Sequence, residues 1–327
     1  MSRKQTIIAT LFDCEEGPPP GLDALAGEAG IRHATSAAEL AEALPGAQVL
    51  LVTDFRTGVL GEAWPHADAL RWIHATSAGV DAILIPEVVK SDIPVTNARG
   101  IFDRGIAEYV LGAILLFAKD MHGSLRYKSE WQWCHRDTER IDGRRALVVG
   151  AGSIGREIGA LLKAAGLHIT GVSGRGRDAD PVFGHVHPAS ELIALLGDAD
   201  FVVIAAPLTE ATEGLFDVRT LAQMPAHARL INVGRGPIVV TDDLVAALRD
   251  GVIAGAALDV FEEEPLPPEH PLWVMDNVFI TPHMAGDFIG WREALVEQFI
   301  DNFHRWKAGE SLFNVVDKGR GYGAADG

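Results

Sequence analysis

The stretch ALVVGAGSIGREIGALLKAAG, residues 146–166, decides the fold. The apolar run Ala146 to Val149 enters Gly150 directly, and an apolar-periodic segment follows from Arg156. Strand, tight turn and helix are therefore expected in immediate succession, with Gly150, Gly152 and Gly155 in the spacing G-x-G-x-x-G. The first glycine permits the turn and the second lets the backbone approach a pyrophosphate. The third lets helix and strand close on each other, with the anion at the helix N-terminus. The spacing alone is a weak signal; its place between a strand and a helix makes a dinucleotide site the preferred reading, with Gly150, Gly152, Ser153, Ile154 and Gly155 as candidate residues. A purely structural glycine turn and a nucleotide-type methyl-donor site are the alternatives.

The next strand, LHITGVSGRGR (167–177), ends where an NAD site usually carries Asp or Glu for the ribose hydroxyls. Here Ser173 takes that place, and Arg175 and Arg177 stand close enough to bind a 2′-phosphate. NADP is thus preferred, with NAD possible. The competing reading is a pair of solvated loop arginines on an acidic protein.

Further out, the apolar runs 6–12, 49–53, 201–207 and 229–233 alternate with helix-like stretches, the pattern of an α/β fold with a mostly parallel sheet. Each run is nearly continuous in Val, Ile, Leu and Ala, as expected of strands covered on both faces. A long apolar helix over 107–125 reads as a connection between domains. A second, over 287–310, places Phe288, Trp291, Leu295, Phe299 and Phe303 at helical spacing. Two long helices bracketing a self-contained segment predict an inserted domain: residues 1–98 and 288–327 form a substrate domain, and 99–287 the dinucleotide-binding domain. The glycine-rich polar end, 317–327, is expected to fray.

The 327 residues carry 28 Lys plus Arg against 45 Asp plus Glu, a formal charge of −17 that disfavours nucleic acid and anionic membrane as partners. With 48% hydrophobic and 22% charged residues, the composition is that of a folded enzyme rather than a disordered chain. Only Cys14 and Cys134 occur, without metal-type spacing, which fits a reducing compartment; no bilayer-spanning run or signal peptide is expected, and the cytoplasm is the default location. No zinc or calcium spacing is present, so no metal is expected.

Three more strand ends concentrate chemistry. LINVGRG (230–236) sets Arg235 between glycines, where a guanidinium can fork to a carboxylate and a carbonyl oxygen. AALDVFEEEP (256–265) supplies Asp259 and the acidic run Glu262 to Glu264, and VFITPHMAGDF (278–288) supplies His283, an imidazole able to exchange a proton near neutrality. A lone strand-end histidine is more often structural, and an acidic run is usually solvated. Together behind a glycine fingerprint they gain weight, because doubly wound sheets bind ligands at the carboxyl ends of their strands.

These segments, with IHATSAGVDAI (73–83), VTNARGIFDRGIAEYVLG (95–112), VVGAGSIGREIG (148–159) and ADFVVIAAPLTEATEGLF (199–216), resemble the D-isomer-specific 2-hydroxyacid dehydrogenase family in order and over most of the chain. The resemblance implies a Rossmann-like cofactor domain inserted into a flavodoxin-like substrate domain, and a homodimer. It assigns substrate binding to Arg235, the catalytic histidine to His283 and its partner carboxylate to Glu264, chosen among three glutamates for the Glu-Pro ending. It gives the substrate carboxylate to the amides of Ser77, Ala78 and Gly79, places Asp259 near the nicotinamide carboxamide, and puts Pro207, Thr212, Val233 and Gly286 along the cofactor wall.

The implied activity is hydride transfer between NADP(H) and a small 2-oxo or 2-hydroxy acid of the glyoxylate, hydroxypyruvate or aryl-pyruvate type, D-stereospecific. An NAD-dependent dehydrogenase of another D-2-hydroxy acid and an idle NAD(P)-sensing protein of the same fold are the alternatives; the intact Arg235, Glu264 and His283 argue against the second. The resemblance does not extend to the family's formate-oxidising members, which carry a glutamine shortly before the histidine where this sequence has Phe279, Ile280, Thr281 and Pro282, so formate is not an expected substrate. Trp131, Trp133, Cys134 and His135 read as packing, at a subunit interface if anywhere. His185 and His187 lack a third metal ligand.

Overall fold

In a computed structural model, which describes residues 5–53, 58–320 and 322–323, the chain divides into two compact units, Met1–Ile101 with Phe288–Gly327, and Phe102–Asp287. The first opens with β1 (Thr6–Leu11), β2 (Ala29–Ala34), α1 (Ala37–Ala43), β3 (Val49–Val52), α2 (Val59–Ala63), β4 (Trp72–Ala75), α3 (Pro86–Lys90) and β5 (Val95–Thr96). These strands form a parallel five-stranded sheet in the order β2-β1-β3-β4-β5.

The second unit holds α4 (Asp103–Ala118), α5 (Met121–Ser129), β6 (Arg145–Val149), α6 (Ser153–Ala164), β7 (His168–Ser173), β8 (Arg177–Asp180) and β9 (Gly184–Pro188). It continues through α7 (Leu192–Leu196), β10 (Phe201–Ile204), α8 (Val218–Leu221), β11 (Arg229–Asn232), α9 (Thr241–Arg249), β12 (Gly255–Leu258) and β13 (Val278–Ile280). Its eight-stranded sheet runs β13-β12-β11-β10-β6-β7-β9-β8, parallel except for β8. The chain then returns to the first unit with α10 (Trp291–Ala308) and the antiparallel pair β14 (Val316–Asp317) and β15 (Tyr322–Gly323).

Both faces of each large sheet are covered, which is why its strands read as unbroken apolar runs. Leu147, Val149, Val202 and Ile204 face one core with Leu192, Leu221 and Leu244. Their neighbours Ala146, Val148, Phe201 and Val203 face the other, against Val110 and Ile114 of α4 and Ile158 and Leu162 of α6. In the first unit, Ile8, Val49, Leu51 and Trp72 are covered by Val296, Phe299 and Phe303 of α10, with Trp72 stacked on Phe299 at 5.2 Å between ring centroids. Each of those α10 side chains contributes on the order of 2 kcal/mol by burial, so the first unit needs both ends of the chain.

Several elements differ from the sequence reading. The connecting helix is two helices, broken at Asp120, whose backbone is left-handed (φ 44°) and whose carboxylate caps α5 by accepting from the Gly123 amide at 3.1 Å. Trp131 and Trp133 do not pack within the described residues: they are 96% and 99% exposed on an irregular segment after α5. That segment is tied down by Arg136 on Asp120 and by Glu139, which takes a fork from Arg229 at 2.6 and 3.2 Å. The last long helix starts at Trp291, leaving Phe288 exposed before it. Residues 317–320 and 322–323 of the end expected to fray belong to the β14–β15 hairpin, whereas 321 and 324–327 lie outside the described residues. No helix among the described residues is long and apolar enough to cross a membrane.

One buried group has a measurable consequence. His74 on β4 is fully buried beside Trp72 and Phe299, its Nδ1 on Thr96 Oγ1 at 2.8 Å, and burial pushes its pKa down to about 3. The unfolded chain takes up this proton near pH 6.5 and the folded chain does not, so stability falls as pH drops below that value, by about 1.4 kcal/mol per unit. Between pH 6.5 and 5 the wild type is expected to lose about 2 kcal/mol more than His74→Gln. Urea midpoints across that range check it; parallel losses in the two proteins would contradict it.

Candidate active site

The glycine loop has the shape a pyrophosphate requires. Gly150 is left-handed (φ 106°), and a Cβ there would stand 2.5 Å from the Ala205 carbonyl carbon. At Gly155 a Cβ would stand 1.9 Å from the Gly150 oxygen, whereas at Gly152 nothing lies within 4 Å. The loop is thus closed toward the protein and open at Gly152, beside the N-terminus of the 12-residue helix α6. The Ser153 hydroxyl is engaged by Asp103, and Ile154 packs into the core beneath α4. A dinucleotide fits this cradle.

At the end of β7 the two arginines part company. Ser173 Oγ closes a turn onto the Arg175 carbonyl at 2.6 Å, and Arg175 is exposed. Arg177 instead begins β8 and is braced, donating to the Ala151 carbonyl at 2.6 Å and to Asp180 at 2.7 and 3.0 Å. The Asp180 carboxylate is wholly buried (0% exposed) and also accepts from Arg156 at 3.0 Å and from the amides of Val182 and Phe183. Burial alone would raise its pKa; the Arg177 bond, the two amides and Arg156 outweigh it and hold the carboxyl at about 2. Sequence reasoning missed Asp180, because the run RDAD reads as a solvated loop.

The chemical groups gather at the ends of β11, β12 and β13. Buried Asn232 shapes the loop after β11: its Oδ1 accepts from the Gly234 amide and its Nδ2 donates to the Arg235 carbonyl, both at 3.0 Å. Arg235 donates to the Gly234 carbonyl at 2.8 Å. A Cβ at Gly236 would stand 1.8 Å from the Phe261 carbonyl carbon, so only glycine lets this loop lie against the Glu264 loop.

Glu264 presents Oε1 to the Phe261 amide and Oε2 to His283 Nδ1, each at 2.8 Å. The Glu264 bond raises the His283 pKa against burial and the Arg235 charge, with Asp259 adding to the rise. Burial works to raise Glu264, but the His283 bond, the Phe261 amide and the Arg235 charge prevail and hold it below the usual range. With Nδ1 facing the carboxylate, Nε2 is the ring nitrogen that makes no hydrogen bond among the described residues.

His283 is left-handed (φ 53°), a conformation that costs a side-chain-bearing residue energy unless its surroundings impose it. Asp259, 2% exposed, imposes it: its carbonyl takes the His283 amide at 2.8 Å. One carboxylate oxygen takes Thr281 Oγ1 at 2.6 Å and the Met284 amide at 2.9 Å, and the other takes the Ala285 amide at 2.9 Å. Since Thr281 donates to Asp259, Tyr109 must donate to Thr281, at 2.8 Å; burial, and then the Asp259 charge, push Tyr109 up to about 12 against the pull of the Thr281 bond. Where the resemblance gives Asp259 to the nicotinamide carboxamide, the structure engages both its oxygens in the histidine loop. Tyr109 and Asn232 were missed, since neither residue type announces a site from sequence.

Thr212 Oγ1 donates to the Pro207 carbonyl at 2.7 Å, Val233 is buried, and a Cβ at Gly286 would meet the Phe102 ring at 2.9 Å. Ser77, Ala78 and Gly79 belong to the other unit, in the turn after β4.

Residues 111–285 match the sequence profile of the D-isomer specific 2-hydroxyacid dehydrogenase NAD binding domain. The chain belongs to the D-isomer specific 2-hydroxyacid dehydrogenase family. A glyoxylate reductase of Thermofilum pendens is 35% identical to this dehydrogenase over 279 residues, 83% of this chain and 81% of that protein. The crystal structure of an NADPH-dependent glyoxylate/hydroxypyruvate reductase from Sinorhizobium meliloti, in complex with NADP and sulfate, is similar with a TM-score of 0.83 at 28% identity, covering 98% of this chain and 100% of that one. A family member from Xanthobacter autotrophicus Py2, in complex with NADPH and MES, gives 0.81 at 30% identity, with 98% and 100% covered. The dehydrogenase is accordingly an oxidoreductase of 2-hydroxy acids, with a Rossmann-type unit for a nicotinamide dinucleotide.

Proposed function

We propose that this dehydrogenase reduces a small 2-oxo acid of the glyoxylate, hydroxypyruvate or aryl-pyruvate type, giving the D-2-hydroxy acid where the product is chiral, and prefers NADPH to NADH. The observation that carries the reading is the His283–Glu264 pair at 2.8 Å, with the Arg235 charge acting on both. Arg235 takes the substrate carboxylate and the 2-oxo oxygen in a fork, and the amides of the 77–79 turn also take the carboxylate. His283, kept protonated by Glu264, donates its Nε2 proton to the oxygen as it becomes an alkoxide. The bound dinucleotide supplies the hydride. In oxidation neutral His283 takes the hydroxyl proton instead. Purified protein with NADPH or NADH and a panel of 2-oxo acids tests this by loss of reduced-cofactor absorbance; no turnover with any acid refutes it.

For the cofactor, the 2′-phosphate falls to Arg175, since the Arg177 charge is shared with Asp180. The similar structures bound to NADP and NADPH support the preference. Losing one charge-assisted hydrogen bond corresponds to roughly 10- to 100-fold in affinity, so Arg175→Ala is expected to raise the NADPH KM by about that factor and leave NADH unchanged. An equal effect on both cofactors would contradict the assignment.

The enzyme is further proposed to be a cytoplasmic homodimer. The tethered, fully exposed Trp131 and Trp133 support an interface, and the free thiols of Cys14 and Cys134 support a reducing compartment. A monomer by sedimentation at assay concentration, or recovery outside the cytoplasm on cell fractionation, would overturn the respective statement.

A further inference from the structure

The turn after β4 has its polar backbone sorted to two sides. The Ser77 carbonyl accepts from the Ala98 amide at 2.9 Å, the Ala78 carbonyl from Asn97 Nδ2 at 2.6 Å, and the Gly79 carbonyl from the Ser77 hydroxyl. In a trans peptide the C=O of one residue and the N–H of the next point in opposite directions, and all three of these bonds are trans. Drawing those carbonyls onto the protein therefore turns the amides of Ala78, Gly79 and Val80 the other way. None of the three amides has a hydrogen bond among the described residues. Successive amides aimed together form an anion-binding concavity.

We infer that Asn97 is a positioning residue for substrate: without touching it, Asn97 fixes the peptide plane that aims the Gly79 amide. The inference rests on the reading above that this turn takes the substrate carboxylate. Asn97 is suited to the task because it is itself immobile. It is 3% exposed, its own amide donates to the Asn314 carbonyl at 3.2 Å, and its Oδ1 accepts from the Arg99 amide at 3.4 Å. Asn97 Nδ2 supplies the donor that holds the Ala78 carbonyl; alanine releases it, and aspartate repels it.

The loss is one of binding rather than of proton transfer, so it should raise KM and spare kcat. For Asn97→Ala the expected result is a KM for glyoxylate raised roughly 10- to 100-fold, with kcat within about threefold and the NADPH dissociation constant unchanged. Turnover of methylglyoxal, a 2-oxo aldehyde without the carboxylate, should not respond. Ser77→Ala, which unties the Gly79 carbonyl instead, gives a smaller change of the same kind and serves if Asn97→Ala does not fold. An unchanged KM in a folded Asn97→Ala, or an equal loss with methylglyoxal, overturns the role of Asn97. Ala78→Pro deletes one of the amides outright: if it raises the glyoxylate KM while Asn97→Ala does not, only the positioning role fails. If folded Ala78→Pro leaves the KM unchanged, the carboxylate reading beneath it fails as well.

Discussion

Replacing His283 by alanine is expected to lower kcat for 2-oxo acid reduction by roughly 10²- to 10⁴-fold, the usual contribution of a positioned general acid. The dissociation constant for NADPH should stay at its wild-type value, because the glycine loop and Arg175 lie on other strand ends. Two neighbouring groups are poor substitutes: Arg235 holds its proton at any working pH, and Tyr109 is half-buried with its hydroxyl committed to Thr281. Glu264→Gln separates the positioning of His283 from its charge. The neutral amide keeps a hydrogen-bond partner near Nδ1 but removes the carboxylate that raises the His283 pKa. The protonated imidazole drives reduction, so activity is full below its pKa and lost as pH rises through it. The reductive limb of Glu264→Gln should therefore fall away at lower pH than in the wild type, while the oxidative limb, which needs neutral imidazole, should extend to lower pH. A kcat in His283→Ala above about a tenth of wild type would falsify the general-acid role, and an unmoved pH profile in Glu264→Gln would remove the carboxylate from the tuning of His283.

What could be read from the amino-acid sequence followed from rules that act over a few residues. The buried parallel strands showed as unbroken apolar runs, the glycine turn as its spacing, and Arg235 and His283 as polar residues just beyond strand ends, whereas Glu264 was set apart from Glu262 and Glu263 only by the family's Glu-Pro ending. The fold of the second unit was legible because its sheet is covered on both sides by local connections. The first unit was harder: β2 carries Arg32 and His33, and β5 is only Val95 and Thr96, too mixed and too short for a periodic signal. The break at Asp120 escaped because the apolar periodicity runs on past it, whereas the backbone turn depends on the carboxylate capping α5. The division of labour between Arg175 and Arg177 escaped for another reason. It depends on Asp180 being buried by a hairpin, β8–β9, whose polar strand RDAD has no apolar alternation to announce it. Side chains that act by hydrogen-bonding a loop, such as Asn97, Asn232 and Tyr109, leave no compositional trace.

Asp259 is where the family resemblance and the geometry point to different outcomes, and one substitution separates them. A carboxylate working at the nicotinamide carboxamide would, when changed to asparagine, weaken NADPH binding. A carboxylate working on the histidine loop would leave binding alone and cost turnover. The geometry favours the second: two amides and the Thr281 hydroxyl all donate to its two oxygens. Asn has a single acceptor oxygen, so in either rotamer its NH₂ group must face a donor that the carboxylate had satisfied. Leaving a buried donor unmet costs about 1–3 kcal/mol, and the loop can recover it by shifting. The first thing released is His283, whose left-handed backbone (φ 53°) is held against its own preference by this loop. Asp259→Asn is therefore expected to reduce kcat by about 100-fold or more, since a misplacement of about 1 Å is enough for that, with an unchanged NADPH dissociation constant. Faster amide hydrogen exchange at Met284 and Ala285 should accompany the loss. Weakened NADPH binding with a nearly intact kcat would return Asp259 to the cofactor, and the Tyr109–Thr281 chain behind it would then have no part in setting the histidine.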